Sequence, residues 1–556
     1  MDITYIIDSL NPPQRNAVTA PQGAALVLAG AGSGKTRVLV HRIAWLIRVE
    51  GVSPHSLLAV TFTNKAAGEM RSRVESLLQL PAGGLWIGTF HGLAHRLLRR
   101  HWREADLPEN FQILDADDQL RLIKRLMKAM GIDDARWPPK QAMWFINAEK
   151  DEGRRARQEA GSYDPFQIQM QRIYLAYEQA CRQSGLVDFA ELLLRCHETL
   201  RDTPDLLAHY RERFRHVLVD EFQDTNTIQY AWLRLLTDGR DNLFVVGDDD
   251  QSIYGWRGAK VENLLRFQKD YPGHHVIRLE QNYRSTGNIL AAANALIAHN
   301  EGRLGKTLWT EDGKGEPIAL YSAFNEQDEA YYVVERIRQW VAEGGRRNDA
   351  AILYRSNAQS RLFEERLLMQ NIPYRVYGGL RFFERAEIKN ALAYLRLISN
   401  RHDDAAFERV INLPVRGIGE RTVDAIRELA RDMPCSLWHA AQSVCEQSGL
   451  AGRARNAIQG FMQLVGTIEL DCRDLPLTEQ AHLVIHRSGL IEHHKKEKEQ
   501  GEARVENLQE LVAACKRFVP EETNLSELDQ FLAQAALEAG DNQAEADADA
   551  VQLMTL

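Results

Sequence analysis

The segment Ala29-Gly30-Ala31-Gly32-Ser33-Gly34-Lys35-Thr36 constrains this chain more than any other. It follows a short apolar run, residues 24–28, and opens a helical pattern. Glycines at such a junction let successive backbone N–H groups turn toward one anion, and the helix N-terminus adds its dipole. This is a phosphate-binding loop, with Ala29 where the generic pattern has its first glycine. Lys35 can reach the β- and γ-phosphates of ATP, and the Thr36 hydroxyl can ligate Mg²⁺.

Such a loop needs an acidic partner on a neighbouring strand. Val217-Leu218-Val219-Asp220-Glu221 supplies one. Asp220 ends a hydrophobic run and can hold Mg²⁺, while Glu221 is placed to orient and deprotonate the attacking water. The next apolar run ends in Gly247-Asp248-Asp249-Asp250-Gln251, where Gln251 takes the position of a γ-phosphate sensor. The three acids before it read equally well as a solvated loop.

Apolar runs at 24–28, 57–62, 216–219 and 243–246, each followed by a helical pattern, read as buried parallel strands. Between the second and third lies a mostly helical stretch from about 93 to 213, an insertion into an α/β domain. Runs at 275–279, 317–321, 350–354 and 374–377 read as a second α/β core, and 381–540 is helical again. The expected class is therefore α/β: two P-loop-type parallel-sheet domains, each carrying a helical insertion. The acidic stretch 541–547 reads as a linker. The final apolar run, 550–556, is strand-like, so the second sheet is expected to be incomplete at this end of the chain.

A chain of 556 residues is too long for one core. Its net charge of −9 argues against a general nucleic-acid coat but leaves room for a local DNA channel. The six cysteines form no CxxC pair, which excludes the usual zinc and disulfide frameworks and fits thiols of a reducing cytoplasm. No long apolar run or leader is present, so no membrane role is expected.

Polar-aromatic segments fall at loop positions. Thr61-Phe62-Thr63-Asn64-Lys65 and Thr89-Phe90-His91-Gly92 each follow a strand, and Tyr254-Gly255-Trp256-Arg257-Gly258 comes just after Gln251. Single-stranded DNA is held by hydroxyls and amides on phosphates and by aromatic faces on bases, at roughly 1–3 kcal/mol per stacked base. Phe62, Tyr254 and Trp256 are the stacking candidates, with Thr63, Asn64, His91 and Arg257 on the backbone. The turn Arg416-Gly417-Ile418-Gly419 lies between helical patterns; Gly417 and Gly419 either present N–H groups to a duplex phosphate or close a plain interhelical turn. The mixed-charge run from His493 to Glu499 fits a solvated helix.

These motifs resemble superfamily 1A DNA helicases of the UvrD/PcrA/Rep group. Leu10-Asn11-Pro12-Pro13-Gln14-Arg15 resembles their Q motif, 29–36, 220–224 and 247–258 their motifs I, II and III, and Gln281-Asn282-Tyr283-Arg284-Ser285 motif IV. Tyr354-Arg355-Ser356-Asn357 resembles motif IVa, and residues 378–385 also fit the family. The resemblance implies two RecA-like domains: 1–89 with 215–280, carrying insertion 90–214, and 281–380 with 550–556, carrying insertion 381–549. It implies 3′–5′ translocation on single-stranded DNA, unwinding at single-strand/duplex junctions, and work with DNA repair proteins in the cytoplasm as a monomer or weak dimer. Carried over, Gln14 reads adenine, Arg37 lies near the nucleotide, Tyr283 stacks on the base and Arg355 contacts phosphate. Arg284 reaches the γ-phosphate from the second α/β domain, and an arginine of that kind contributes on the order of 10³–10⁵ in rate.

Family members continue with motifs V and VI, which are absent from these residues. The expectation is weak ATP binding and slow turnover. The competing expectation is a catalytically weak protein that binds single-stranded DNA and ATP without unwinding. A P-loop phosphotransferase is a third, opposed by the aromatic loop and Arg284.

Overall fold

Five consecutive buried residues, Ala25–Ala29, form β1, the strand from which the phosphate loop hangs. Its side chains alternate between two cores. Leu26 and Leu28 face one hydrophobic cluster, and Ala25, Val27 and Ala29 the other, as a strand covered on both faces requires. The computed structural model describes residues 3–79, 84–157, 164–240, 242–255, 258–355, 359–377, 383, 385–433, 435–446, 452–497, 501–520, 525–538 and 549–555.

The strands in chain order are β1, β2 (Leu57–Thr61), β3 (Trp86–Thr89), β4 (Gln112–Leu114), β5 (Leu186–Asp188), β6 (His216–Val219), β7 (Leu243–Gly247), β8 (His275–Leu279), β9 (Ala351–Tyr354), β10 (Tyr374–Tyr377) and β11 (Val551–Thr555). Six make one parallel sheet in the order β3-β2-β6-β7-β1-β8. Every connection leaves this sheet at the same carboxyl edge, where open α/β sheets bind ligands.

Between β3 and β6 runs the first helical insertion, from Phe90–Arg100 to Pro204–Arg213. It carries a small parallel pair, β4-β5. At its centre Lys150, 2% exposed, lies 2.6 Å from Asp188 and 3.1 Å from Glu191. The second parallel sheet has the order β10-β11-β9. Val551 and Leu553, on one face of β11, are buried in a single cluster with residues of the helices Glu326–Ala342 and Ser360–Met369. The second helical insertion, Ala386–Ser399 to Glu527–Glu538, encloses Phe407, Trp438 and Phe461 in edge and tilted contacts. The two insertions meet through ion pairs: Lys389 with Asp117 at 2.6 Å, Arg396 with Asp118 at 2.9 Å, and Arg125 with Glu408 at 3.1 Å.

Two expectations about strands need correction. The run 275–279 joins the first sheet, not a second core, because β8 pairs in register with β1 from Ala25↔His275 to Ala29↔Leu279. The run 317–321 is no strand. Its alternation of apolar residues finds no neighbouring strand among the described residues, and Ile318 and Leu320 stand 60% and 94% exposed. Alternation predicts a face, but a strand also needs a partner for its N–H and C=O groups. The terminal strand and both helical insertions are as expected, and the proposed linker 541–547 lies outside the described residues. All six cysteines are free thiols. Among the described residues no helix is long and apolar enough to cross a membrane.

Candidate nucleotide site and nucleic-acid edge

The loop after β1 is shaped by two left-handed glycines, Gly32 at φ +67° and Gly34 at φ +87°. Gly34 caps the helix Lys35–Arg48, so the first N–H groups of that helix face outward over the loop. Ser33, 1% exposed, closes it from inside, its hydroxyl donating to the Gly30 carbonyl at 2.7 Å.

Gln14 lies beneath. Its amide nitrogen donates to the Ser33 carbonyl at 2.8 Å, and its Oε1 accepts from the Asn11 N–H at 3.2 Å. The second bond belongs to a capping box that starts the helix Pro12–Val18. Gln14 is fully buried and both ends of its amide are engaged, so this structure uses it to brace the loop. Arg37 sits in the first turn of the next helix, where its guanidinium donates to the Ser9 carbonyl.

The segment after β8 folds directly onto the loop. Tyr283 N–H donates to the Gly32 carbonyl at 2.9 Å, and Asn282 Nδ2 to the Ala31 carbonyl at 2.5 Å. A Cβ on Gly32 would stand 2.6 Å from Asn282 Nδ2 and 2.8 Å from Arg284 Cβ. Arg284 therefore begins beside the phosphate loop at the edge of the same sheet. It follows closely on β8, which belongs to the first sheet. Tyr283 presents a ring 48% exposed, with its hydroxyl accepting from Asn11 Nδ2 at 2.7 Å.

Asp220 and Glu221 follow β6, one strand beyond β7. Glu221 has φ +48°, a conformation unusual for a side-chain-bearing residue and of the kind that gathers at functional sites. It carries the carboxylate back to Lys35, whose Nζ lies 2.6 Å from Oε2. Burial first, then the charge of Glu221, pushes Asp220 up to about 7, with Thr36 hydrogen-bonded to it. The half-buried Thr36 hydroxyl and the buried Asp220 carboxylate form a pair of oxygen donors, the donor type a small hard cation takes. Gln223 extends the chain of contacts: Nε2 donates to Glu221 at 2.9 Å, and Oε1 accepts from the Asp248 N–H at 2.9 Å.

Asp248–Asp250 are not a solvated loop. Asp248 is 1% exposed, and all three carboxylates meet Lys306. Gln251 is bonded through its amide to Asp248.

The nucleic-acid candidates occupy the same edge above β2, β3 and β7. Phe62 is half-buried and meets Phe90 edge-on, with ring centroids 6.2 Å apart. Thr63 is exposed, and its hydroxyl caps the helix Asn64–Leu78 by accepting from Ala66 N–H. Asn64 Oδ1 accepts from the Thr89 hydroxyl at 3.4 Å, which joins the β2 and β3 loops. His91 packs edge-on against Phe189, and burial pushes its imidazole down to about 4. It is neutral near pH 7, so it offers a phosphate a hydrogen bond rather than a charge. Tyr254 is half-buried in the turn after Gln251; Trp256 and Arg257 lie outside the described residues.

Arg355 stands exposed at the end of β9, in the second sheet and apart from the others. Gly417, at φ +79°, and Gly419 meet nothing on their outer sides, whereas Ile418 between them is buried. Arg416 is spent inside, bonded to Tyr394 and to carbonyls of the turn. Glu497, in the mixed-charge run, is taken by Arg504 at 2.8 Å and His494 at 3.3 Å. Asn11, Gln223 and Asn282 lie inside the quoted motifs but were given no role there, and sequence reasoning passed over Lys306 and Leu308, which come from the segment after β8.

Residues 10–272 match the UvrD/REP helicase N-terminal domain, and residues 277–447 the UvrD-like helicase C-terminal domain. DNA helicase II of Escherichia coli (strain K12) is 59% identical over 559 residues, covering 100% of this chain and 78% of that protein. DNA helicase II of Haemophilus influenzae is 55% identical, over 100% of this chain and 77% of its own length. ATP-dependent DNA helicase PcrA of Bacillus subtilis is 40% identical, over 99% and 76% respectively.

Proposed function

The chain belongs to the UvrD/REP helicase family, and from that premise we propose that it is an ATP-driven motor that moves 3′ to 5′ along single-stranded DNA and unwinds duplex at single-strand junctions. The observation that carries this reading is the shared carboxyl edge of the first sheet. The phosphate loop, Asp220-Glu221 and Arg284 lie there beside the polar-aromatic loops after β2, β3 and β7. A change at the nucleotide is thus one strand or two away from a change in the DNA grip.

Lys35 and Arg284 supply positive charge for the γ-phosphate, and Glu221 takes the proton of the attacking water. Thr36 and Asp220 would hold Mg²⁺, which would supply charge neutralisation for the phosphates when bound. Tyr283, the exposed ring beside the loop, stacks on the base, with Arg37 nearby. Gln251 reports the γ-phosphate to Tyr254 in the following turn, and Phe62, Thr63, Asn64 and His91 extend the track. Arg355 and the turn at Gly417 and Gly419 give further phosphate contacts from the second sheet and second insertion. On this reading residues 1–89 with 215–280 and 281–380 with 550–556 are the two motor domains, and 90–214 and 381–549 their insertions. The protein works in cytoplasmic DNA repair and replication, as a monomer or weak dimer.

The test is ATP hydrolysis with and without single-stranded DNA, beside Lys35→Ala, followed by displacement from duplexes with 3′ or 5′ tails. DNA-stimulated turnover lost in Lys35→Ala, with displacement only from the 3′ tail, is expected. DNA binding without displacement would leave a strand-binding protein, and turnover indifferent to DNA would point to a phosphotransferase.

A further inference from the structure

After the first sheet is complete, the chain runs back across its carboxyl edge, and residues 303–308 strap the turn that holds Gln251. Lys306, 7% exposed, places Nζ 2.7 Å from Asp248 Oδ1, 2.5 Å from Asp249 Oδ1 and 2.9 Å from Asp250 Oδ2. Arg303 holds Asp250 through both oxygens, at 2.7 and 2.8 Å, and Leu304 N–H donates to Asp249 at 2.7 Å. The three carboxylates cluster as closely as metal ligands do. Here the chain's own cations fill that role, since three carboxylates so close together, Asp248 among them buried, cannot stay ionised together unpaired.

Asp248 is the pivot of the arrangement. One of its oxygens meets Lys306, and the other accepts from the Gln251 amide. Its backbone N–H is held by Gln223, which also holds Glu221. A continuous bonded path therefore runs from Lys35 through Glu221, Gln223 and Asp248 to Lys306. Two residues beyond Lys306, Leu308 lies against Gly30 of the phosphate loop, where an added Cβ would stand 2.1 Å from its methyl carbon. The strap thus touches the nucleotide site at both ends.

We propose that Lys306 is a positioning residue for ATP hydrolysis: by holding Asp248 it aims Gln251 at the γ-phosphate. The inference rests on the reading of Gln251 as the sensor. A bland role, pinning the loop for stability alone, predicts that loss of Lys306 lowers melting temperature and nucleotide affinity together. A positioning role predicts that hydrolysis falls while nucleotide binding holds.

The experiment compares the full chain with Lys306→Met, Lys306→Arg, Gln251→Ala and the Lys306→Met/Gln251→Ala double variant. Binding of a fluorescent ATP analogue and single-turnover hydrolysis on single-stranded DNA are measured, with enzyme in excess. Lys306→Met is expected to bind nucleotide within about threefold of the parent and to hydrolyse about 10- to 100-fold more slowly. Lys306→Arg should recover most of the rate, and the double variant should be no slower than Gln251→Ala, because both changes remove one function. A parental rate in Lys306→Met beside a slow Gln251→Ala overturns the inference and leaves the sensor reading standing. A parental rate in Gln251→Ala removes the sensor reading itself. Should Lys306→Met fail to fold, Asp248→Asn relieves the buried charge while loosening the same pivot; a slow rate there supports the proposal and a parental rate overturns it.

Discussion

Lys35 Nζ and Glu221 Oε2 lie 2.6 Å apart, so the cation of the phosphate loop is paired with the carboxylate proposed as general base. The pair joins residues 186 positions apart. A γ-phosphate competes with Glu221 for the lysine, and binding it would release the carboxylate toward water. Glu221→Gln keeps the shape of the site but accepts no proton. It should lower DNA-stimulated hydrolysis by about 10²–10⁴-fold while leaving affinity for a fluorescent ATP analogue unchanged or higher. Lys35→Ala should lose binding and turnover together.

Gly32 separates backbone need from side-chain need. Its φ of +67° disfavours any other residue, and a Cβ would press on Asn282 and Arg284. Gly32→Ala is expected to weaken nucleotide binding by at least tenfold, and its melting temperature should stop rising on ATP addition. The backbone conformation alone costs about 1–2 kcal/mol.

Lys150 tests the first helical insertion. Burial works against its charge, and Asp188, then Glu191, outweigh it. Tyr177 also donates to Asp188, at 2.7 Å. Lys150→Met leaves the buried Asp188 carboxylate without its cation, while Glu191 keeps Arg155 and Arg195, and should destabilise the fold by about 3–5 kcal/mol, read as a shift of the denaturation midpoint.

The phosphate loop and the Asp220-Glu221 pair were legible because each is local: a few residues fix strand, turn and side chain together. What completes the site was not legible, because it is long-range. Asn282 meets Ala31 across 251 residues, and Lys306 meets Asp249 across 57. Asp248-Asp249-Asp250 looked like a solvated loop, since nothing near them in sequence is basic. The strand register that puts β8 beside β1 depends on pairing, which apolar alternation leaves open. That register is why Arg284 begins beside the phosphate loop. For the same reason, residues 317–321 looked like a strand without having a neighbour to pair with.

His95 gives a pH dependence with a definite sign. Its Nε2 accepts from Arg99 Nε at 3.0 Å, so the ring is neutral there. Burial first, then the charge of Arg99, pushes the imidazole from 6.5 down to about 3. Between those values the unfolded chain holds a proton that the folded chain refuses. Stability is therefore greatest above pH 6.5 and is lost as pH falls through this window, at a limiting slope of about 1.4 kcal/mol per pH unit. His95→Gln keeps an acceptor for Arg99 but does not titrate. Its denaturation midpoint should fall less steeply than the parent's between pH 6.5 and 5, and an equally steep fall would assign the acid sensitivity elsewhere.

Arg355 distinguishes a grip on the DNA backbone from a contact with bases. It stands exposed at the carboxyl end of β9, with its backbone N–H held by Gln359 Oε1 at 2.9 Å, so replacing the side chain leaves the turn intact. A guanidinium on one phosphate releases about one counterion, whatever the sequence of the strand. Arg355→Ala should therefore weaken binding to oligo-dT and to mixed-sequence strands by the same factor. The slope of log affinity against log salt should fall by about 0.7, the single-strand value for one phosphate. Tyr254→Ala should do the reverse, because stacking carries no counterion: affinity falls by roughly 1–3 kcal/mol while the salt slope stays put. If Arg355→Ala left the slope unchanged, the second sheet would not touch the strand there. The track would then be confined to the edge above β2, β3 and β7.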